Sequence, residues 1–255
     1  MSTKSKFDNL IEIFRKSSEE AAKKCSSESE KLRRLMVDSN SVFTDLWIEE
    51  RKTRISLMDM RIFELWRLTA HILYLSLSGL YKNAFDNIRY IFESAIQSLY
   101  IDSRHSVSGL RTRIEILKEI EDKREYRAVS LIDRLEIDHK DSLKKEYKRL
   151  SQIIHPSHRS IVEFLDFTQK LPSPELLVAP TNCKEISDIF ESMRIVFDMV
   201  WFLYISCAPK KRRKQLQSDS ALIKYSKKYN LTLLSKIMKT NLVKKRGKGK
   251  KNRRE

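Results

Sequence analysis

The sequence predicts an all-α protein, and three observations lead to that prediction. The chain of 255 residues has only four glycines and five prolines, and its first 155 residues contain no proline. β-Sandwiches and doubly wound sheets need many Gly and Pro turns, so both are disfavoured. Apolar residues instead recur at i, i+3, i+4 and i+7, the period of an amphipathic helix. We therefore expect a bundle of six to eight helices with a basic, partly disordered C-terminal extension.

The first three helices follow from apolar stripes. An amphipathic stripe begins at 7–14, the polar stretch 24–31 indicates a kink or loop, and 42–47 restarts the stripe after candidate caps at 39–41. Residues 62–77 are apolar nearly all round, so this helix is expected at the centre of the bundle. Gly79 is suited to end it, because glycine adopts the left-handed conformation at little cost.

The clearest helix covers 80–102, where seven apolar residues share one face: Tyr81, Phe85, Ile88, Phe92, Ala95, Ile96 and Leu99. The charged stretch 110–135 is typical of a solvated hairpin or of one long exposed helix. We expect further helices at 142–154, ended by Pro156, at 157–168 and at 184–207, with a proline-rich connector at 170–182. Beyond Pro209 the pattern indicates two short helices that are split near 230–232.

The charge is distributed unevenly and suggests three regions. Residues 210–255 hold 18 of the 51 Lys and Arg but only two acids, a net charge of +16, whereas residues 1–209 are close to neutral at +1. We predict a near-neutral helical bundle at 1–208, a basic helical extension at 209–242 and a disordered basic tail at 243–255. Such a tail favours an anionic partner.

Other classes are disfavoured by what the sequence lacks. It has too few glycines for a phosphate loop or a dinucleotide fingerprint, so we expect no cofactor. The three cysteines have no paired spacing, which predicts neither a disulfide framework nor a zinc site, and the histidines show no metal-ligand pattern. The cysteine spacing fits a reducing setting and the sequence begins with no apolar leader, so a cytoplasmic location is predicted. A membrane anchor is disfavoured, because no span of about 20 apolar residues is present.

The strongest functional signal is the basic C-terminal region. Dense cation blocks bind phosphates by releasing counterions, which gives nucleic-acid binding without sequence preference. The alternatives are a solubilising tail and adhesion to anionic lipid. The predicted nucleic-acid-binding residues are Lys210, Lys211, Arg212, Arg213, Lys214, Lys244, Lys245, Arg246, Lys248, Lys250, Lys251, Arg253 and Arg254.

The stretch 221–242 has part of the rhythm of a helix-turn-helix, the fold element that many proteins use to read DNA. Thr232 would cap the second helix. Ser226 stands where such motifs prefer Ala, and Asn230 stands where they prefer Gly. Two short helices on a basic tail would give a similar pattern, so both interpretations stay open.

A second set of polar residues lies in the body. Arg89 and Glu93 border the apolar face of 80–102, and charged groups there are costly unless they are paired. Tyr147, Ser151 and His155 recur every four residues and could supply their partners. The set would either fix the helix register or perform acid–base chemistry on a phosphodiester.

Two resemblances bear on the same residues. The stretch from Gly79 to Glu93 (G-x-Y-x-x-A, then R-x-x-x-E) and the stretch 150–157 (L-S-x-x-x-H-P-S, ending at Ser157) resemble an uncharacterised microbial all-helical family over about 60–205. This resemblance implies a fold more than a function. Arg149 and His155 also resemble, distantly, the R-x(4–6)-H pattern of HEPN ribonucleases, which act on RNA without a metal. That resemblance implies Arg149 and His155 as a catalytic pair.

The leading expectation is a nucleic-acid-associated helical protein that binds RNA or DNA through its basic tail. The alternatives are a metal-independent HEPN-like ribonuclease, with Arg149 and His155 or with Arg89, Glu93 and His155, and a helical scaffold without nucleic acid. A homodimer would use exposed apolar faces. The sequence itself names no reaction.

Overall fold

The computed structural model describes residues 3–50, 56–121, 123, 127–154 and 181–239. Across these ranges the chain is all-α, as predicted, with eleven helices and no β-strand. Eight of these helices lie within residues 3–207, which agrees with the six to eight expected for the bundle. The other three lie in residues 210–239, where two short helices were expected. The helices are α1 (Thr3–Lys24), α2 (Ser26–Glu50), α3 (Leu57–Leu77), α4 (Tyr81–Arg104), α5 (Leu110–Glu121), α6 (Ala128–Arg134), α7 (Lys140–Ile154), α8 (Cys183–Cys207), α9 (Lys210–Ser218), α10 (Ser220–Lys228) and α11 (232–239).

Helix α4 lies at the centre of the structure, where it packs against α3, α5, α6, α7 and α8. The seven apolar residues predicted to share one of its faces are all buried. α4 follows α3 after a tight turn at Gly79, whose φ of 75° is left-handed. Across this turn the amide of Leu80 donates to the carbonyl of Leu75 at 2.8 Å. The predicted role of Gly79 at the end of α3 is therefore confirmed.

Helix α8 is the other core helix, as the apolar stretch 184–207 predicts. It packs against α2, α3 and α4. Its Trp201 is fully buried and stacks on Phe43 of α2, with 4.6 Å between the ring centroids. Because an aromatic pair removes a large apolar area from water, this contact holds α2 against the core.

Helix α3 differs from its predicted central position. One side packs on α1, α2, α4 and α8, but the other side faces solvent, with Trp66 50% and Tyr74 54% exposed. A helix buried all round and a helix with outward-facing aromatic residues give the same apolar pattern. The sequence therefore could not distinguish the two.

A buried ion pair joins the start of α3, the end of α4 and α5. The carboxylate of Asp102 accepts the amides of Leu57 and Met58, each at 3.0 Å. Arg113 of α5 donates to the same carboxylate at 2.8 Å and to two loop carbonyls. Asp102 therefore stabilises both the positive N-terminal end of α3 and a guanidinium group that is only 6% exposed.

Helices α1 and α2 are separated by a single residue, Cys25. The break predicted at 24–31 is thus shorter than expected, and α2 begins at Ser26 rather than after 39–41. Cys25 forms a disulfide with Cys183 at the start of α8, with 5.1 Å between the Cα atoms. The prediction of no disulfide is therefore wrong, because distance in sequence does not limit a pair that the fold brings together.

Burial raises the pKa of the free thiol of Cys207 to about 11.

The disulfide also affects the predicted cytoplasmic location, since stable disulfides are most frequent in oxidising compartments. Cysteine spacing no longer supports that location, which stays a prediction. The charged region 110–135, for which a hairpin or one long helix was expected, contains two helices, α5 and α6, so the single long helix is wrong. The helix predicted at 157–168 and most of the connector predicted at 170–182 lie outside the described residues.

Candidate nucleic-acid interface

The basic region from Lys210 onwards packs into the same hydrophobic core as the body. Leu216, Leu222, Leu231 and Leu234 are at most 1% exposed and belong to one core cluster with residues of α4 and α8. Helix α9 packs on α8 and α10, and α10 packs on α2. The boundary predicted at residue 208 therefore separates two regions by charge, although their apolar side chains pack together.

The N-terminal end of α11 is held by a buried carboxylate of α8. Asp198 is 5% exposed and accepts the amides of Leu233 and Leu234 at 3.0 and 2.8 Å. The hydroxyl of Thr232 donates to the same carboxylate at 3.2 Å. Burial raises the pKa of Asp198 above its usual value, although the three hydrogen bonds offset part of this effect. Asp198 thus caps α11 from a different helix.

A second anchor joins α10 to α2. Asp38 forms an ion pair with Lys228 and accepts the hydroxyl of Tyr229 at 2.6 Å. Burial alone would raise the pKa of Asp38, yet the hydrogen bonds from Lys228 and Tyr229 hold it below its usual value. One turn earlier, the hydroxyls of Ser39 and Tyr225 lie 2.5 Å apart in the core. The two carboxylates that anchor this region are therefore bound by backbone amides, hydroxyls and the ammonium group of Lys228.

The remaining lysines of this region face solvent. None of six exposed lysines forms an ion pair with another residue of the described ranges. Lysine side chains in this situation keep their charge available to an external anion. The six are Lys210, Lys211, Lys214, Lys224, Lys227 and Lys239.

The run 210–214 is not uniform, because its two arginines differ from its three lysines. Arg213 donates to the carbonyls of Ser206 and Ala208, at the end of α8, the latter at 3.2 Å. This contact stabilises the negative C-terminal end of α8. Arg212 is half-buried, whereas Lys210, Lys211 and Lys214 are exposed. Of the predicted binding residues in α9, the lysines are thus the better placed to meet a ligand.

Helices α10 and α11 are joined by a short turn, and Asn230 in this turn has a φ of 50°. Asn tolerates this left-handed conformation better than most residues, so it can stand where glycine is preferred. In helix-turn-helix proteins the N-terminal part of the second helix contacts the DNA bases. Here the N-terminal end of α11 is occupied by Asp198 of the same chain. Asn230 therefore has the left-handed φ for which the motif prefers glycine, while the N-terminal end of α11, which would read DNA, is engaged internally.

The predicted polar set of the body comes together in part, between α4 and α7. Arg89 donates to Glu93 at 2.9 Å, and the hydroxyl of Tyr147 donates to the same Glu93 oxygen at 2.6 Å. The guanidinium carbon of Arg89 also lies 5.6 Å from the centroid of the Tyr147 ring. Burial and the hydrogen bond to Glu93 raise the pKa of Tyr147. The side chains of Arg89 and Glu93 are 24% and 28% exposed, so the three groups are satisfied by one another at the edge of the core.

Arg149 lies apart from this set. It donates to Glu146 at 2.6 Å and to the hydroxyl of Ser192 on α8 at 2.8 Å. Ser151 lies beside Tyr147, with its hydroxyl buried. The structure thus joins Arg89, Glu93 and Tyr147 but directs Arg149 to another helix.

Several predicted site residues lie outside the described ranges. They are His155, Ser157, Lys244, Lys245, Arg246, Lys248, Lys250, Lys251, Arg253 and Arg254. Within the described ranges, no group of three or more His, Cys, Asp or Glu is arranged to hold a metal ion. No described helix is both long enough and apolar enough to cross a bilayer.

Sequence reasoning did not identify the two anchoring carboxylates. Asp198 is an isolated acid within an apolar helix, and this position is a signal, because such a group is tolerated only with partners. Asp38 has no comparable signal, since one acid on a charged helix is ordinary.

Comparison with protein-family models, curated proteins and solved structures finds no match to this chain. Of the properties that the two sequence resemblances imply, the structure therefore establishes the all-helical class.

Proposed function

We propose that this protein associates with nucleic acid and that its basic C-terminal region binds the phosphate backbone. The observation that carries the proposal is the set of six exposed lysines that lack an acidic partner among the described residues. Eight further Lys and Arg follow at 244–254. Cations that are displayed in this way gain free energy by releasing the counterions of a polyanion.

The way in which this region docks supports an external partner. A basic segment could instead fold back to neutralise acids of its own bundle. Here the two docking carboxylates are taken up largely by backbone amides and hydroxyls, and Lys228 is the lysine that pairs with Asp38. These two docking carboxylates therefore neutralise one lysine of the region, Lys228.

The expected binding has little sequence preference. Flexible lysines contact phosphates as point charges and read no base edges. The end of α11 that could enter a major groove is closed by Asp198. The affinity should therefore depend steeply on salt and weakly on sequence.

The experiment compares the full chain with a variant in which the six exposed lysines are changed to Gln. Fluorescence anisotropy with a labelled 20-base-pair duplex is measured over a range of salt concentrations. For duplex DNA the slope of log K against log salt is about −0.9 per phosphate neutralised, so we expect the variant to lose up to about 5 units of slope. A deletion at residue 208 would be a poor test, because it removes the buried leucines of α9 to α11.

A matched control changes six exposed lysines of the body to Gln, so that the lost charge is the same. We expect this control to retain most of the salt slope. If both variants bind alike, or if the wild type binds no duplex at low salt, the proposal is wrong. The control residues are Lys23, Lys31, Lys82, Lys118, Lys145 and Lys148.

A metal-independent HEPN-like ribonuclease is the second candidate, favoured by the convergence of Arg89, Glu93 and Tyr147 on α4 and α7. A carboxylate, a guanidinium and a phenol at the edge of the core could take part in proton transfer. Because these groups already satisfy one another, they also explain the register of the two helices without any reaction. RNA cleavage in EDTA by the wild type, lost in His155→Ala and in Glu93→Gln, would support this candidate. Absence of cleavage would favour nucleic-acid binding or a scaffold role alone.

A further inference from the structure

One face of α3 carries exposed aromatic side chains beside an arginine and a histidine. Trp66 is 50% exposed, Tyr74 54% and Met60 47%. Arg67 and His71 are exposed on the same helix. At 100° per residue these five positions fall within an arc of about 140°, and the rise of 1.5 Å per residue gives the face a length of about 21 Å. Large apolar side chains in such a row are uncommon on a surface that binds nothing.

The formal charge among the exposed residues of this face comes from Arg67. Of the two acids of α3, Asp59 is buried in the capping box at the start of the helix. Glu64 is engaged by Arg61 and by the hydroxyl of Tyr90, which donates at 2.8 Å. Arg67, by contrast, forms no ion pair with any residue of the described ranges. The face therefore offers flat π surfaces together with an unbalanced cation.

We propose that this face of α3 is a stacking platform for single-stranded nucleic acid. Bases would stack on Trp66 and Tyr74, while Arg67 and His71 contact the phosphates between them. Stacking on aromatic side chains requires bases that are free of a duplex, so the platform is specific for single strands. This inference rests on the proposed function for the nature of the partner, but it assigns a separate surface.

A second copy of this chain fits the face less well. Two-fold association would bring the patch against itself, so that the unpaired Arg67 of both copies would be enclosed in one interface. The exposed residues of this face include no acid to pair with these two arginines, and like charges in an interface cost free energy. An anionic partner with planar apolar groups satisfies both features of the face.

The position of α3 also brings this platform towards the basic helices. The first turn of α3 is bound by Asp102. In the same turn Asp59 accepts the hydroxyl of Tyr204 at 3.1 Å, and Tyr204 lies in the last turn of α8, six residues before Lys210. The Met60 end of the face is thus near the start of α9, where Lys210 begins the basic run. A single strand could therefore meet the aromatic face and the lysines together.

The test uses the full chain and two substitutions at one position. Trp66→Leu keeps an apolar side chain without a ring, and Trp66→Phe keeps a ring. Anisotropy is measured with a 20-nucleotide oligo(dT) and with a 20-base-pair duplex at moderate salt. We expect Trp66→Leu to bind oligo(dT) about tenfold more weakly, Trp66→Phe to stay close to the wild type, and duplex binding to be unchanged in both. Circular dichroism melting checks that both variants fold.

The possible failures are distinguishable. If Trp66→Leu binds oligo(dT) as tightly as the wild type while the six-lysine variant loses duplex binding, the platform is overturned and the proposed function stands. If the wild type binds neither nucleic acid, both are overturned. If sedimentation shows a dimer that Trp66→Leu dissociates, the face is a subunit interface and the platform is overturned.

Discussion

Changing Asp198 to Ala should loosen the C-terminal helices from the body. The substitution removes the carboxylate that accepts two amides and one hydroxyl at the start of α11. The methyl group of alanine can accept none of these hydrogen bonds. Because Asp198 is 5% exposed, water replaces the lost acceptor only in part.

The magnitude follows from the groups that lose their partners. A buried amide without an acceptor costs about 1–3 kcal/mol, and two amides are affected, those of Leu233 and Leu234. Removing a carboxylate whose charge is itself destabilised by burial offsets part of this cost. We expect a net loss of about 2–4 kcal/mol in the free energy of unfolding. For a protein of this size that loss lowers Tm by about 5–15 °C.

Thermal and urea unfolding, followed by circular dichroism, measure this loss. Asp188→Ala is the matched control, because Asp188 is an exposed aspartate of the same helix and surface changes stay within about 0.5 kcal/mol. Asp198→Asn should fall between them, since its amide oxygen still accepts one hydrogen bond. If Asp198→Ala and Asp188→Ala unfold alike, Asp198 does not anchor α11.

Three further outcomes are expected. Arg113→Met should lower the free energy of unfolding, measured in urea, by about 3–5 kcal/mol, because it leaves a buried carboxylate without its cation. Arg111→Met changes a side chain that is 95% exposed and should lower it by almost nothing. Equal losses in the two variants would contradict the buried ion pair. Reduction of Cys25–Cys183 should lower stability by about 2–5 kcal/mol because it opens a loop of 158 residues. Without reductant, thiol titration of the unfolded chain should give one thiol; a count of three would refute the pairing. Because the pKa of Asp38 is lowered in the folded state, its carboxylate contributes of the order of 1 kcal/mol to the free energy of unfolding at neutral pH, and this contribution is lost as the pH falls below about 4. The wild type and Asp38→Asn should therefore converge in stability below that pH.

How far the sequence predicts the fold depends on whether a feature is local. Gly79 illustrates a local feature, since the need for a positive φ acts on that residue alone. The register of Arg89 and Glu93 on α4 is also local, because four residues complete about one helical turn. The sequence also suggested Tyr147 as a partner of Arg89 and Glu93, because Tyr147, Ser151 and His155 recur every four residues. The contact itself depends on α7 lying against α4, which is not a local property.

Other features depend on contacts between distant segments. Cys25 and Cys183 carry no sequence signal of pairing, because their encounter requires the start of α8 to lie beside the junction of α1 and α2. The separation of Arg149 from the polar set has the same origin. Its direction towards Ser192 depends on where α8 packs, which helical periodicity does not encode.

The sequence by itself determined the all-helical class, the apolar face of α4 and the concentration of positive charge after residue 209. These properties follow from residue type and spacing, which act over a few residues or are simple sums. Only the tertiary structure decided that α9, α10 and α11 pack on the body, that Asp198 closes the end of α11 and that one side of α3 is exposed. A side chain is buried only when the surface that carries it packs against a second surface. A helix alone carries its apolar and charged faces, but which of them meets another helix is decided by the packing of the whole chain.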